Sequence, residues 1–454
     1  MEAATGARRR SASLACRAAF RTVRRRPELW LPAGVATLAA ATVAFGWIAR
    51  ANGVRLGAGL APLLADWRPV LQPSATPAVA LLAAGVLAAP RLRSMRRGPW
   101  RFALATLGLG LALRLALGTA RRGLDGLYAV YELGNHEAAN EYLPALPAFE
   151  FGTRFFLDTF AETGASLPVH AIGHPPGLLV TMHWLGIDDA QGMAALTIGV
   201  GALSIPLAYL LGRALLDERR ARIATLLYVF APSAVLYGAT SADALYAALA
   251  LTAAVPLAFA TRRRPAGGAT ATGASAFALA SFFSYSNLAV GAWAGLVAWQ
   301  RAGLGRAALI AGACGLALVA FYGALHLTTG YDPIGVLEAT ENVYREGIAG
   351  RRPYEFWVLG SPTAFLLALG LPIAWFVLRS AGAGVPAARA LLAVLVIAAL
   401  LGFAKAETER IFLFLVPLAC VAAAATLPER RLTLVLGALA AQALATELLL
   451  YTVW

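Results

Sequence analysis

Glu137 and Glu141 stand four apart in the run His136-Glu137-Ala-Ala-Asn140-Glu141-Tyr142-Leu143. On a helix that spacing puts both carboxylates on one face. A carboxylate at a membrane surface can take the proton from an acceptor hydroxyl as that hydroxyl attacks an anomeric carbon. Glycoside hydrolysis would ask for two flanking carboxylates, because a sugar oxygen leaves and needs an acid. A phosphate leaves without one, so a single base suffices. A solvated loop helix with ordinary surface acids would use the same residues.

Three other runs carry polar chemistry. In His170-Ala-Ile-Gly173-His174-Pro175-Pro176-Gly177 the prolines mark a helix start, since proline is tolerated in a first turn and fixes its direction. His174, just before that start, could face an anionic group together with the helix amides; a turn packed under the loop would hold it structurally instead. Lys405-Ala406-Glu407-Thr408-Glu409-Arg410 and Arg351-Arg352-Pro353-Tyr354 place cations where charge bias argues against them. Gripping a lipid phosphate is one reason for them, with arginine able to bind it bidentately; self-paired surface bridges are the plain alternative. Asp243, after Ser241, begins an apolar run, where an acid also suits the helix dipole. No Gly-rich phosphate loop, zinc spacing or nucleophile elbow occurs.

The elements that must hold these residues are membrane helices. The chain has 454 residues, 59% hydrophobic and only 14% charged. Apolar runs of about 20 residues, the length that crosses the hydrocarbon, recur from end to end. They are continuous rather than alternating, which selects helices over a barrel. The formal charge of +14 sits mostly in short arginine clusters between runs, the pattern of a positive-inside bias, so nucleic acid is not the expected partner. The cysteines Cys16, Cys314 and Cys420 give neither a disulfide framework nor a metal site.

Arg8-Arg9-Arg10 and Arg24-Arg25-Arg26 put the tail, residues 1–28, in the cytoplasm. Spans are expected near 29–49, 76–91, 102–118, 190–212, 222–239, 243–261, 271–285, 288–300, 307–327, 357–378, 389–404, 411–427 and 432–452. Treating 175–187 as a helix in the outer interface puts five later arginine clusters inside. The expected fold is thus an all-α integral membrane protein of about thirteen transmembrane helices, with an extracytoplasmic loop of juxtamembrane helices. Two additional N-terminal spans (29–101) precede a core (102–430) that carries outer loops 119–189 and 328–356, and residues 431–454 supply the last span.

Taken together, these features resemble the GT-C superfamily of polytopic glycosyltransferases, which use polyprenyl-phosphate sugars. The nearest branch is that of the protein O-mannosyltransferases and lipid A aminoarabinose transferases, and within it actinobacterial-type members. The likeness rests on Glu141-Tyr142-Leu143, Pro168 to Gly177, Arg351 to Tyr354 and Lys405 to Ile411. It implies a GT-C-like membrane core and an inverting transferase. Such an enzyme would move a mannose- or pentose-like sugar from a polyprenyl phosphate to a lipid, glycan or protein acceptor. The work would be done at the outer face of a bacterial plasma membrane, among membrane lipids. Where the branch usually has an Asp-Glu pair, this chain has Asn140-Glu141, so Glu141 becomes the expected base, then Glu137, then Asp125. The resemblance assigns His174, Lys405 and Arg410 to the donor phosphate. Glu407, Arg351, Arg352, Tyr354, Asp243, His170 and Tyr142 are counted as substrate-binding. A divalent metal is left open. The reading from another class is a multi-pass transporter or lipid flippase, expected to carry inverted repeats and midplane charges.

Overall fold

Apolar runs become helices because lipid leaves backbone groups no partners but one another. The computed structural model describes residues 27–95, 98–262 and 267–454. Arg8–Arg10, Cys16 and Arg24–Arg26, read above from sequence, lie outside them, as do Arg96, Arg97, Arg263 and Arg264 of the arginine clusters between runs. Among the described residues seven helices are long and apolar enough to cross a membrane. They are Trp30–Ala51, Pro73–Arg93, Pro99–Gly118, Ala190–Leu215, Asp243–Ala260, Leu304–Thr329 and Glu429–Leu449. Each falls on an expected span. The protein is all-α, with a single two-stranded ribbon among the described residues.

The other six expected intervals hold shorter or broken helices. Pro232 separates Glu218–Phe230 from Pro232–Leu236, as a residue that cannot donate to the preceding turn must. Gly267–Ser281 and Leu288–Ala302 are joined by a short turn at Tyr285–Asn287. Pro386–Leu401 is apolar but short. Thr408–Ile411 passes through a tight turn into Val416–Ala424. Tyr354–Leu369 and Leu371–Gly382 meet at a bend of 114°. Gly370 makes the bend with φ of +103°, a value open to glycine alone at little cost. One side chain bridges the break: Gln442 accepts from the Leu371 amide at 3.0 Å and donates to the Leu367 carbonyl at 2.7 Å, which also accepts from the Gly370 amide at 3.2 Å.

Asp243–Ala260 is the central helix, buried over nearly its whole length among alanine-rich neighbours. Small residues let those neighbours come close: a Cβ on Gly201 would stand 2.7 Å from that of Ala244. Segment 119–189 folds as a chain of short helices around an aromatic core of Tyr131, Tyr142, Phe149, Phe156 and Phe160. Pro144 and Pro147 keep Leu143–Phe149 in tight turns rather than one long helix. The helix after His174 runs Gly177–Leu185, and its first half is buried beneath the loop. The last helix stops at Leu449, short of the expected 452. The chain then turns back to pair Leu450–Tyr451 antiparallel with Asp66–Trp67. Cys314 and Cys420 are free and buried.

Candidate functional site

The helical spacing expected for Glu137 and Glu141 is not what joins them. Glu137–Asn140 is a single tight 3-10 turn, and Glu141 leaves it extended, with ψ of −172°. The two carboxylates meet instead on His170, from the four-residue helix Val169–Ile172. Glu137 Oε1 accepts from His170 Nε2 at 3.0 Å, and Glu141 Oε1 lies 3.9 Å from the same nitrogen. Glu141 is almost fully buried, at 3% exposed.

A second buried group adjoins the first. Arg410 donates from Nη1 to Asp243 Oδ2 at 2.6 Å and from Nη2 to Glu407 Oε2 at 2.9 Å. Arg352 holds the other oxygen of Glu407 at 2.8 Å and gives its remaining Nη to the Lys405 carbonyl. Ser241 donates to Asp243 Oδ2 at 2.6 Å. The loop that brings Glu407 under both arginines turns through two consecutive left-handed residues, Ala406 (φ 66°) and Glu407 (φ 61°). Non-glycine residues pay about 1–2 kcal/mol each for that conformation, and such strain concentrates where side-chain placement matters.

Trp454 joins the two groups. Its ring covers Arg410, with the guanidinium carbon 3.8 Å from the ring centroid, and its indole N–H reaches toward Glu141 Oε1 at 3.5 Å. The Leu450–Tyr451 strand puts it there. Arg121 fastens the same turn, donating to the Glu447 and Leu450 carbonyls.

His174 sits on the other flank, its ring 4.7 Å from that of Tyr246 and 6.3 Å from that of Tyr142. The two tyrosine hydroxyls bond to each other at 2.7 Å. The His174 Nδ1 atom is sealed from solvent and has no hydrogen-bond partner among the described residues. Three expected residues do other work. Lys405 turns its amine to the Ala349 carbonyl at 3.0 Å. Tyr354 is exposed and donates to the Leu400 carbonyl at 2.7 Å, and Arg351 is exposed. Asp125, the third candidate base, is exposed and accepts from Tyr128.

Two residues escaped the sequence reading. Trp454 had no motif around it. Glu409 is buried, accepts from the Leu64 amide at 2.7 Å and leaves Oε2 without a partner among the described residues. Its only signal was a second acid inside the Lys405–Arg410 run.

The cluster carries more acid than base. Glu137, Glu141, Asp243 and Glu407 face Arg352, Arg410 and the imidazole of His170. Burial raises the Glu141 carboxyl above its ordinary range, against the pull of His170 and Arg410. Burial disfavours a charge on His170, but Glu141 and the bond to Glu137 outweigh it and raise its pKa. Burial also opposes the charge on Glu407, yet Arg410 and Arg352 hold its carboxyl at about 2. Burial pulls His174 down to about 4.

Glu137, Glu141 and His170 each offer one ligand atom, all within 4.8 Å of one another. Ligands about 2.0–2.2 Å from a divalent ion lie at most about 4.4 Å apart, so a small closure would bring two oxygens and a nitrogen onto one ion. That donor set suits zinc or manganese rather than a soft metal. Comparison with known proteins returns no matching family model, no similar curated protein and no similar solved structure.

Proposed function

We propose that the chain is an inverting glycosyltransferase of the GT-C kind, with about thirteen crossings, a cytoplasmic N-terminus and its site at the outer face of a bacterial plasma membrane. It would move a sugar from a polyprenyl-phosphate donor to a lipid, glycan or protein acceptor of the cell envelope. One observation carries the reading. A buried carboxylate of raised pKa, Glu141, shares an enclosed polar cluster with two buried arginines, at the end of the helices where the aromatic loop packs.

Glu141 takes the acceptor hydroxyl proton as its oxygen bonds to the anomeric carbon. The bond from that carbon to the phosphate oxygen breaks, and the polyprenyl phosphate leaves with the electron pair. A base with raised pKa is matched to that task near neutral pH. Glu137 holds His170, and His170 orients Glu141. Arg410 faces the leaving phosphate by loosening its hold on Asp243 or Glu407, both already within its reach. A divalent ion held by Glu137, Glu141 and His170 would replace the His170 contacts, lower the basicity of Glu141 and instead add positive charge for that phosphate. His174 and Tyr142 line the flank.

The test is transfer in membranes from a panel of polyprenyl-phosphate sugars, with products read by mass spectrometry. Glu141→Gln should lose about 10²–10⁴-fold of the rate, the usual worth of a general base, and Glu137→Gln less. Full activity in both variants removes the mechanism. The surplus of acid favours one second reading, a multi-pass transporter or lipid flippase whose cluster takes up a cation. Cation-driven uptake by proteoliposomes, with no sugar transfer, would select it.

A further inference from the structure

At the opposite end of the bundle, Leu288–Ala302 turns into Leu304–Thr329 at Gly303, φ +90°. The turn opens a cleft of about 570 Å³ lined by Trp299, Gln300, Arg301, Gly303, Arg306 and Leu309, within the range of ligand sites, about 300–1,000 Å³. The central helix begins at Asp243 in the cluster described above and ends beside this cleft. Arg301 donates to Thr261 Oγ1 at 3.1 Å. Eighteen residues of helix put the two places about 27 Å apart, close to the hydrocarbon thickness of about 30 Å.

The charge there is one-sided. Among the described residues none of Arg262, Arg301 and Arg306 has a carboxylate within ion-pair distance. Arg262 gives its donors to the Arg213 and Ala214 carbonyls. Arg306 Nη1 is buried and has no partner among the described residues. An unmatched buried guanidinium donor is costly unless something accepts from it. The wall beside it is apolar and exposed: Trp299, Leu304 and Leu309, with Leu316 and Val319 continuing along the same helix. Tryptophan beside arginine at a helix end marks the headgroup level of a membrane.

We propose that this cleft binds the phosphate of an anionic phospholipid, held by Arg301 and Arg306, with its acyl chain along Leu309 and the exposed face of Leu304–Thr329. Free phosphate shares the headgroup chemistry but makes no use of that wall. The experiment is thermal melting of the purified chain in detergent. Phosphatidylglycerol, phosphatidylcholine or inorganic phosphate is titrated in separate arms, and bound lipid is counted by native mass spectrometry. Phosphatidylglycerol should raise Tm and stay bound where phosphatidylcholine does not. Arg306→Gln should not lower the lipid-free Tm, since Nη1 has no protein partner to lose, and should weaken phosphatidylglycerol about five-fold. Adding Arg301→Gln should weaken it about five-fold again. If the double variant unfolds, Arg306→Gln alone carries the test. Equal response to both lipids, an unchanged response in the variants, or the same shift from inorganic phosphate alone each overturns the proposal.

Discussion

Arg410 is the side chain on which most of the polar cluster turns. Two carboxylates bond its two Nη atoms and an indole ring lies on its face. Burying an ion pair need not stabilise a protein, but removing one partner strands the other. Asp243→Asn should therefore cost about 3 kcal/mol, read from denaturation in detergent. Trp454→Ala should cost about 2 kcal/mol for a desolvated cation–π contact, and Trp454→Phe much less, because the ring remains. His174 gives a pH signature. Its pKa is near 6.5 in the unfolded chain and about 4 when folded. Above pH 6.5 both states are neutral and stability is complete. Between 6.5 and 4 the unfolded chain takes up a proton that the folded site refuses, so stability falls with pH, by about 3 kcal/mol at the low end. Melts from pH 4 to 8 check this, and His174→Asn, which does not titrate, should flatten that limb.

The bend at Gly370 shows how an element can be broken inside an apolar layer without stranded backbone. Gln442 bonds across the break, to the Leu371 amide and the Leu367 carbonyl. Gln442→Leu keeps the volume and strands the Leu371 amide, while the Leu367 carbonyl keeps the Gly370 amide, so it should cost about 1–2 kcal/mol, measured by the same melts. At the other strained turn the sign reverses: Ala406→Gly relieves a left-handed residue and should gain about 1 kcal/mol. These two turns also mark where the sequence was readable. Long apolar runs fix their helices because composition alone decides them, and all seven long helices fall on expected intervals. The break at Gly370 was not visible, because Leu371–Gly382 continues the same hydropathy. Asp243, Glu407, Arg352 and Arg410 were legible as ionisable residues at the ends of apolar runs, and they do converge. The Glu137–Glu141 spacing misled, because Asn135 accepts from the Glu137 amide and the chain turns out of the helix after Asn140. Trp454 reaches Glu141 and Arg410 only through the pairing of Leu450–Tyr451 with Asp66–Trp67, a contact between distant segments that no local pattern encodes.

Across the whole molecule, arginines from separate connections gather at the end away from the carboxylate cluster. Arg222 donates to the Arg93 and Met95 carbonyls, Arg93 and Arg219 share Glu429, Arg220 bonds the Ala424 and Ala425 carbonyls, and Arg262 reaches Arg213. Residues up to several hundred positions apart thus meet at one face, which is the arrangement a positive-inside bias asks for once the chain is folded. The aromatic segment 119–189 and the buried acids occupy the other face, where the proposed transfer places its polyprenyl-phosphate donor. The two faces can be told apart by labelling. Cys314 and Cys420 are buried, and together with Cys16 they can be replaced by serine to give a silent background. Leu133, 80% exposed on the long loop, and Arg219, with a side chain 70% exposed at the basic end, then take single cysteines. An impermeant maleimide should label Leu133→Cys in intact cells and Arg219→Cys only after permeabilisation. If Leu133→Cys reacts only after permeabilisation, the acids face the cytosol, and an outer-leaflet transferase is no longer an available reading of the cluster; if Arg219→Cys also reacts in intact cells, the two ends do not lie on opposite sides and the positive-inside assignment fails.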